Sequence, residues 1–235
     1  ADEVIARSEL GIDLHTAAVG RTNFPHVRAD LRIPRLGEIA EWFGSEVIID
    51  RVGDEHSVRQ VATESGVPTI NLEAAEALKI ELAVVELGVR GVKNVMRRLG
   101  MLRGRIGRPA YQTVVKQSRW VRAQAGGLLR FHVAPGDLVD AGDPIATCDS
   151  FFRAESPTLR APVAGIVLGM TTLPVVRPGE PVCHIGIPKR ALSEIREMIA
   201  HTPDTLHRRL QAELARDVHV WPLAKKKRAR RLGSD

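Results

Sequence analysis

The residues best suited to chemistry in this chain are an aspartate and a histidine two positions apart, Asp13 and His15, in the run Ile12-Asp13-Leu14-His15-Thr16. Side chains alternate along a strand, so both point to one face. A carboxylate beside an imidazole fixes its tautomer and raises its basicity, as such partners do for metal-bound histidines. Taken alone, the pair fits at least as well a core histidine satisfied by its neighbour. A second acid, Glu73, closes the apolar stretch Val67-Pro-Thr-Ile-Asn-Leu-Glu73. If both stretches are strands, His15 and Glu73 reach the carboxyl ends of a sheet, where open α/β sheets gather their ligands.

The elements that must position them follow from periodicity. The run from Gly20 to His26 reads as a loop after the first strand. Leu36, Ile39, Ala40 and Phe43 recur at helical spacing, predicting a helix over 34–44. Glu46–Asp50 is a short apolar strand, 55–65 a helix closed by Gly66, and 81–99 a longer helix. The apolar stripe of that last helix runs through Leu82, Val85, Val89, Val92, Met96 and Leu99. Strands alternating with helices predict an α/β layer with a mostly parallel sheet.

Composition shifts after Arg108. From Thr113 to Ile187 the chain is rich in Val, Gly and Pro, with turn signals at Pro135-Gly-Asp137, Ala141-Gly-Asp143 and Pro178-Gly-Glu180. A weak repeat relates Ala125–Val139 to Ala164–Val182, which predicts a small β-sandwich resembling the lipoyl and biotinyl carrier fold. No lysine lies between Lys116 and Lys189, so this module lacks the attachment residue of a carrier. The division is therefore 1–112, an α/β region; 113–187, a β-rich module; and 188–235, helical segments interrupted near Pro203 and a basic tail.

In bulk the chain is an ordinary globular protein of 235 residues, 44% hydrophobic and 26% charged. No run approaches the roughly 18 apolar residues of a membrane span, and no basic-then-apolar leader precedes the first strand. Cys148 and Cys183 make neither a disulfide framework nor a C-x-x-C zinc pattern, so a cytoplasmic setting is expected. Much of the +6 net charge lies in Lys225–Arg231. Without interleaved aromatics or a recognition motif, that run reads as a solvated tail, and no nucleic-acid or membrane partner is expected. A homo-oligomer is left open.

Several segments carry a resemblance. Ile12–Arg28 resembles the third-ligand segment of the succinylglutamate desuccinylase/aspartoacylase family, and Gly66–Glu76 resembles its catalytic glutamate strand. Gly91–Leu102 is similar to the helix that follows, while Trp120–Gly127, Ala161–Val167 and Cys183–Gly186 are similar to its appended β-module. The resemblance runs from about Gly11 to Gly186. It implies a zinc-dependent deacylase related to the zinc carboxypeptidases, acting on an N-acyl amino acid or similar small molecule. His15 would then be a Zn2+ ligand, Asp13 its supporting carboxylate and Glu73, rather than Glu76, the general base. Zinc with three protein ligands lowers the pKa of its bound water to roughly 7, and a glutamate in reach takes the proton. Arg21 and Asn23 are the expected substrate-binding residues, since an arginine fork suits a carboxylate; His26 and Arg28 are weaker candidates.

One departure stands out. The family's other zinc ligands, in an H-x-x-E arrangement, precede the Asp-Leu-His-Thr segment, and none of the eight histidines here has a glutamate three positions on. The chain also begins with Ala. The expectation is an N-terminally incomplete enzyme that exposes apolar surface, the alternative being a metal-free relative that binds or scaffolds.

Overall fold

The structure is a computed structural model describing residues 3–150 and 156–217, the side chains of 214–217 excepted; the basic tail lies outside the described residues. Twelve strands are described: β1 Gly11–Thr16, β2 Arg21–Ala29, β3 Val47–Asp50, β4 Thr69–Glu76, β5 Thr113–Arg122, β6 Gly127–Phe131, β7 Leu138–Val139, β8 Pro144–Asp149, β9 Thr158–Arg160, β10 Gly165–Thr171, β11 Val175–Val176 and β12 Pro181–Pro188. The helices are α1 Pro34–Phe43, α2 Val58–Glu64, α3 Leu82–Arg98, α4 Leu192–His201 and α5 Leu206–Asp217.

Eight strands form one sheet in the order β1-β4-β2-β3-β5-β12-β10-β7, and β10 also pairs with β2. That extra pairing closes β2, β3, β5, β12 and β10 into a ring. The expected mostly parallel sheet is corrected to a mixed one. The β1–β4, β2–β3 and β3–β5 pairs are parallel, while β2–β4 and every pair involving β10 or β12 are antiparallel. The residues expected as a loop after Gly20 are instead the first part of β2. Pro25 disguises them, because a proline cannot donate to a ladder. It is tolerated here at a bulge, where Phe24 and Pro25 together oppose Ala74.

Helix α1 starts with Pro34 in its first turn and ends at Gly44, whose φ of 81° is the left-handed conformation a glycine adopts freely. Leu36, Ile39, Ala40 and Phe43 are its buried stripe, as the spacing predicts. Ser57 caps α2, its Oγ accepting the Gln60 N–H at 3.2 Å. Helix α3 occupies the expected residues, but its fully buried positions are Ala83, Leu87, Gly88, Gly91, Asn94 and Val95, and of the expected stripe Val92 and Leu99 pack partly against the core. Leu82, Val85 and Val89 remain 67%, 49% and 48% exposed. Close approach decided the matter. A Cβ on Gly91 would overlap the Phe43 ring, so the small residues of α3 face the core.

Residues 113–187 do not form a free-standing antiparallel unit. β5 pairs in parallel with β3, and β10 pairs with β2, so the main sheet runs through this region. β6, β8, β9 and β11 make a second, antiparallel sheet. It encloses a separate core with Val121, Leu129, Ile145, Cys148, Met170 and Ile185. The predicted turns recur as one motif. Asp137, Asp143 and Glu180 each accept the backbone N–H three residues earlier, at 2.8, 2.7 and 2.8 Å. The preceding glycines sit at φ 91°, 91° and 83°. Both cysteines are buried and free, and no described helix is long and apolar enough to cross a membrane.

Candidate active site

Sheet register brings the two singled-out residues together. His15 on β1 lies opposite Glu73 on β4, and Glu73 lies opposite His26 on β2. Two residues away on the same face, Asp13, Asn71 and Arg28 form a second row. The opposite face carries Leu14, Leu72 and Val27, and Leu72 meets α3 at Gly88. On β4 and β2 that side is apolar and buried, whereas Leu14 on β1 is exposed; the other side is a polar platform. His15 is the penultimate residue of β1, but Glu73 is not at a strand end. β4 continues to Glu76 with Ala75 at a left-handed φ of 62°, beside the β2 bulge.

Contacts fix each group. His15 Nε2 lies 2.7 Å from Asp13 Oδ2, so the expected Asp–His pair forms and Nδ1 is left without a partner among the described residues. Glu73 Oε1 accepts from Asn71 Nδ2 at 3.1 Å and faces Arg28 Nη1 at 3.6 Å. Its Oε2 accepts from Asn23 Nδ2 at 3.5 Å, the outer limit of such a bond. His26 is a strut. Its Nδ1 lies 2.8 Å from the Phe24 carbonyl, and Arg28 Nε donates to its Nε2 at 3.3 Å. The second contact requires Nδ1 to carry the proton. Burial, and then the Arg28 charge, push the His26 pKa down to about 3.

Arg21 points away from Glu73 and towards the β-rich region. Its guanidinium lies 5.0 Å over the Trp120 ring, and its Nη1 is buried without a partner. Trp120 stacks on His184 with ring centroids 4.3 Å apart. Asn23, Gly169, His184 and Trp120 follow one another across four strands. Burial, followed by the charges of Arg28, Arg51 and Arg21, takes the His184 pKa down to about 4. Buried Arg59 donates to the carbonyls of Arg51 and Val52 at 2.8 and 3.2 Å. The platform therefore combines two hydrogen-bonded carboxylates, Asp13 and Glu73, with imidazoles and several guanidiniums, a setting for an anionic small molecule.

Sequence reading names Asp13, His15, Glu73, Arg21 and Asn23 as candidates; Asn71, His184, Trp120 and Arg59 are not among them. Only Asn71 left a local signal, two residues before Glu73 on the same face of a strand. His184 and Trp120 arrive from distant segments through strand pairing, and Arg59 from helix α2.

The described residues do not fit a zinc ion by themselves. No three His, Cys, Asp or Glu side chains converge among them. His15 offers one free nitrogen, and the nitrogens of His26 and the oxygens of Glu73 are engaged. Catalytic zinc needs about three protein ligands.

No family model matches the chain, and no curated protein does. Solved structures do. The ectoine utilization protein EutE (DoeB) from Ruegeria pomeroyi superposes with a TM-score of 0.70 at 16% identity, over 78% of this chain and 62% of that one. A succinylglutamate desuccinylase/aspartoacylase from Rhodobacter sphaeroides gives 0.69 at 18%, over 79% and 60%. An aspartoacylase family protein from Mesorhizobium loti gives 0.66 at 16%, over 80% and 65%. The chain thus spans less than two thirds of the length of these structures. What is shared at such identities is architecture: this chain has the fold of the succinylglutamate desuccinylase/aspartoacylase proteins.

Proposed function

We propose that the protein is a deacylase, a hydrolase cleaving the amide bond of an N-acyl amino acid or similar small molecule. The observation that carries this is the direct pairing of His15 with Glu73 on one polar face. Glu73, steered by Asn71, Asn23 and Arg28, takes the proton of the attacking water and returns it to the leaving nitrogen. Asp13 holds the His15 ring. Arg21 and Asn23 are the side chains assigned to a substrate carboxylate, Arg21 from its place over the Trp120 ring. Residues 113–187, in outline a lipoyl-like sandwich fused to the main sheet, wall the mouth with Trp120 and His184. Zinc is part of the proposal, with His15 as the one ligand among the described residues and the others outside them. The cytoplasm is the proposed compartment.

A second reading, a metal-free binding or scaffold relative, is favoured by the lack of a donor trio among the described residues. Zinc content and amine release from a panel of N-acyl amino acids, measured on the full-length polypeptide carrying this chain, separate the two. A zinc-loaded enzyme whose Glu73→Gln variant keeps the metal but loses about 10²–10⁴-fold in turnover, and whose His15→Ala variant loses the metal, is the expected result. Undiminished turnover in Glu73→Gln overturns the base. A zinc-free, inactive full-length protein supports the binding reading.

A further inference from the structure

A long stretch of the chain has no acid to offset its cations. Residues 87–136 contain nine arginines, two lysines and no aspartate or glutamate. Arg97 and Arg98 close α3, and Arg103, Arg105 and Arg108 follow in the segment after it. Arg97 folds back against Gly104. The other four are exposed, and none has an ion pair among the described residues. Like charges gathered at a helix end and the segment after it raise the local positive potential and draw anions to this surface.

That segment is held in place. Asn94, fully buried on α3, donates to the Gly107 carbonyl at 2.8 Å and accepts the Gly107 N–H at 3.0 Å. Gln112 Nε2 donates to the Ser45 carbonyl at 2.9 Å. Two side-chain amides thus tie the returning leg to α3 and to the segment just past α1. Between them lies a cavity of about 370 Å³, lined among others by Glu41, Trp42, Arg98, Arg108, Tyr111 and Gln112. That size lies in the range of small-molecule sites. It opens on the helix-covered side of the sheet, away from the Glu73 platform.

We propose that this cavity binds a nucleoside di- or triphosphate. Arg98 and Arg108 are fork donors for phosphate oxygens, with Arg103 and Arg105 raising the local anion concentration. Trp42 and Tyr111 supply flat apolar walls for a base, and Glu41 and Gln112 supply an acceptor and an amide for its polar edge. Arg35 lies 5.0 Å over the Trp42 ring and stiffens that wall. A single-stranded nucleic acid fits less well, because the arginines gather around a pocket and not along a groove with repeated aromatics.

Calorimetric titration of the full-length polypeptide with ATP, ADP, inorganic pyrophosphate and an oligothymidylate, at low and moderate salt, tests this. ATP and ADP should bind more tightly than pyrophosphate, with affinity falling as salt rises. The doubly substituted Arg98→Gln/Arg108→Gln protein, which alters only exposed side chains, should keep its melting temperature and lose about 100-fold in affinity. A variant lacking residues 224–235 should bind as the parent does. No binding, equal affinity for pyrophosphate and ATP, tighter binding of the oligonucleotide, or binding lost with the tail instead of the two arginines would each overturn the proposal.

Discussion

Asn23 reaches Glu73 only because residue 169 has no side chain. A Cβ on Gly169 would overlap the Asn23 Oδ1 directly across the β2–β10 pair. Gly169→Ala is therefore expected to turn Asn23 away and loosen the Glu73 carboxylate. Misplacement of a reacting group by about 1 Å can cost 10²-fold. In an active full-length enzyme the loss should appear mainly in kcat, with zinc content unchanged. Titrating groups act in opposite directions at this scale. Burial pushes buried Glu46 up to about 7 against the downward pull of the Leu206 N–H, Arg90 and Arg209. Its contribution is fully present below about pH 4.5 and is lost as pH rises towards 7. The lowered values of His26 and His184 act the other way: their contribution is present above about pH 6.5 and is lost as pH falls towards 3–4. Glu46→Gln should raise the melting temperature at pH 8, where the parent must ionise a buried carboxyl, by up to about 3 kcal/mol of stability. At pH 5 it should give little gain. An equal gain at both pH values would remove Glu46 as the cause.

Helix α3 shows how an element can sit where periodicity places it and still turn the other way. The first half of its apolar stripe, Leu82, Val85 and Val89, is exposed, while Gly88 and Gly91 lie against β4 and α1. Gly91→Ala should cost about 1–3 kcal/mol by forcing the Phe43 ring aside. Val85→Ala, on the half-exposed stripe, should stay within about 0.5 kcal/mol. Urea denaturation of both variants checks the orientation; the reverse ranking would mean that the helix is rotated. At the other end of the chain, α5 is held by Leu206 and Leu210 in the main core, by Glu213 accepting the Ala83 N–H at 3.1 Å, and by Gln211 bonded to Asp137 at 2.8 Å.

Across the whole molecule, apolar surface is exposed along the β1 side. Leu14 is 54% exposed on a strand paired only with β4 among the described residues, and Val58 on the neighbouring α2 is 56% exposed. An unpaired strand edge with apolar neighbours invites association, and a lysine on such an edge opposes it. The isolated chain should self-associate in sedimentation velocity runs. Leu14→Lys should shift it towards the monomer; no shift would place the association elsewhere. The β1–β4–β2 platform sits beside this edge, so whatever covers β1 also borders His15.

The sequence by itself determined what depends on neighbours in the chain. The Asp13–His15 pair follows from the two-residue period of a strand, α1 from its proline, its glycine and its apolar spacing, and the three Gly-acid turns from the conformational freedom of glycine. Tertiary structure decided everything that depends on which segments meet. Pairing of β4 between β1 and β2 set Glu73 between two histidines, and the antiparallel direction of β2 made the sheet mixed. Pairing through Gly169 brought His184 and Trp120 from the β-rich region to Asn23. Helix α3 turned its small residues inward because the closeness of two backbones outweighed the apolarity of a stripe. Local preferences are fixed by one or two dihedral angles and a few adjacent side chains. Register, partner and facing surface are settled only when distant segments compete for the same core.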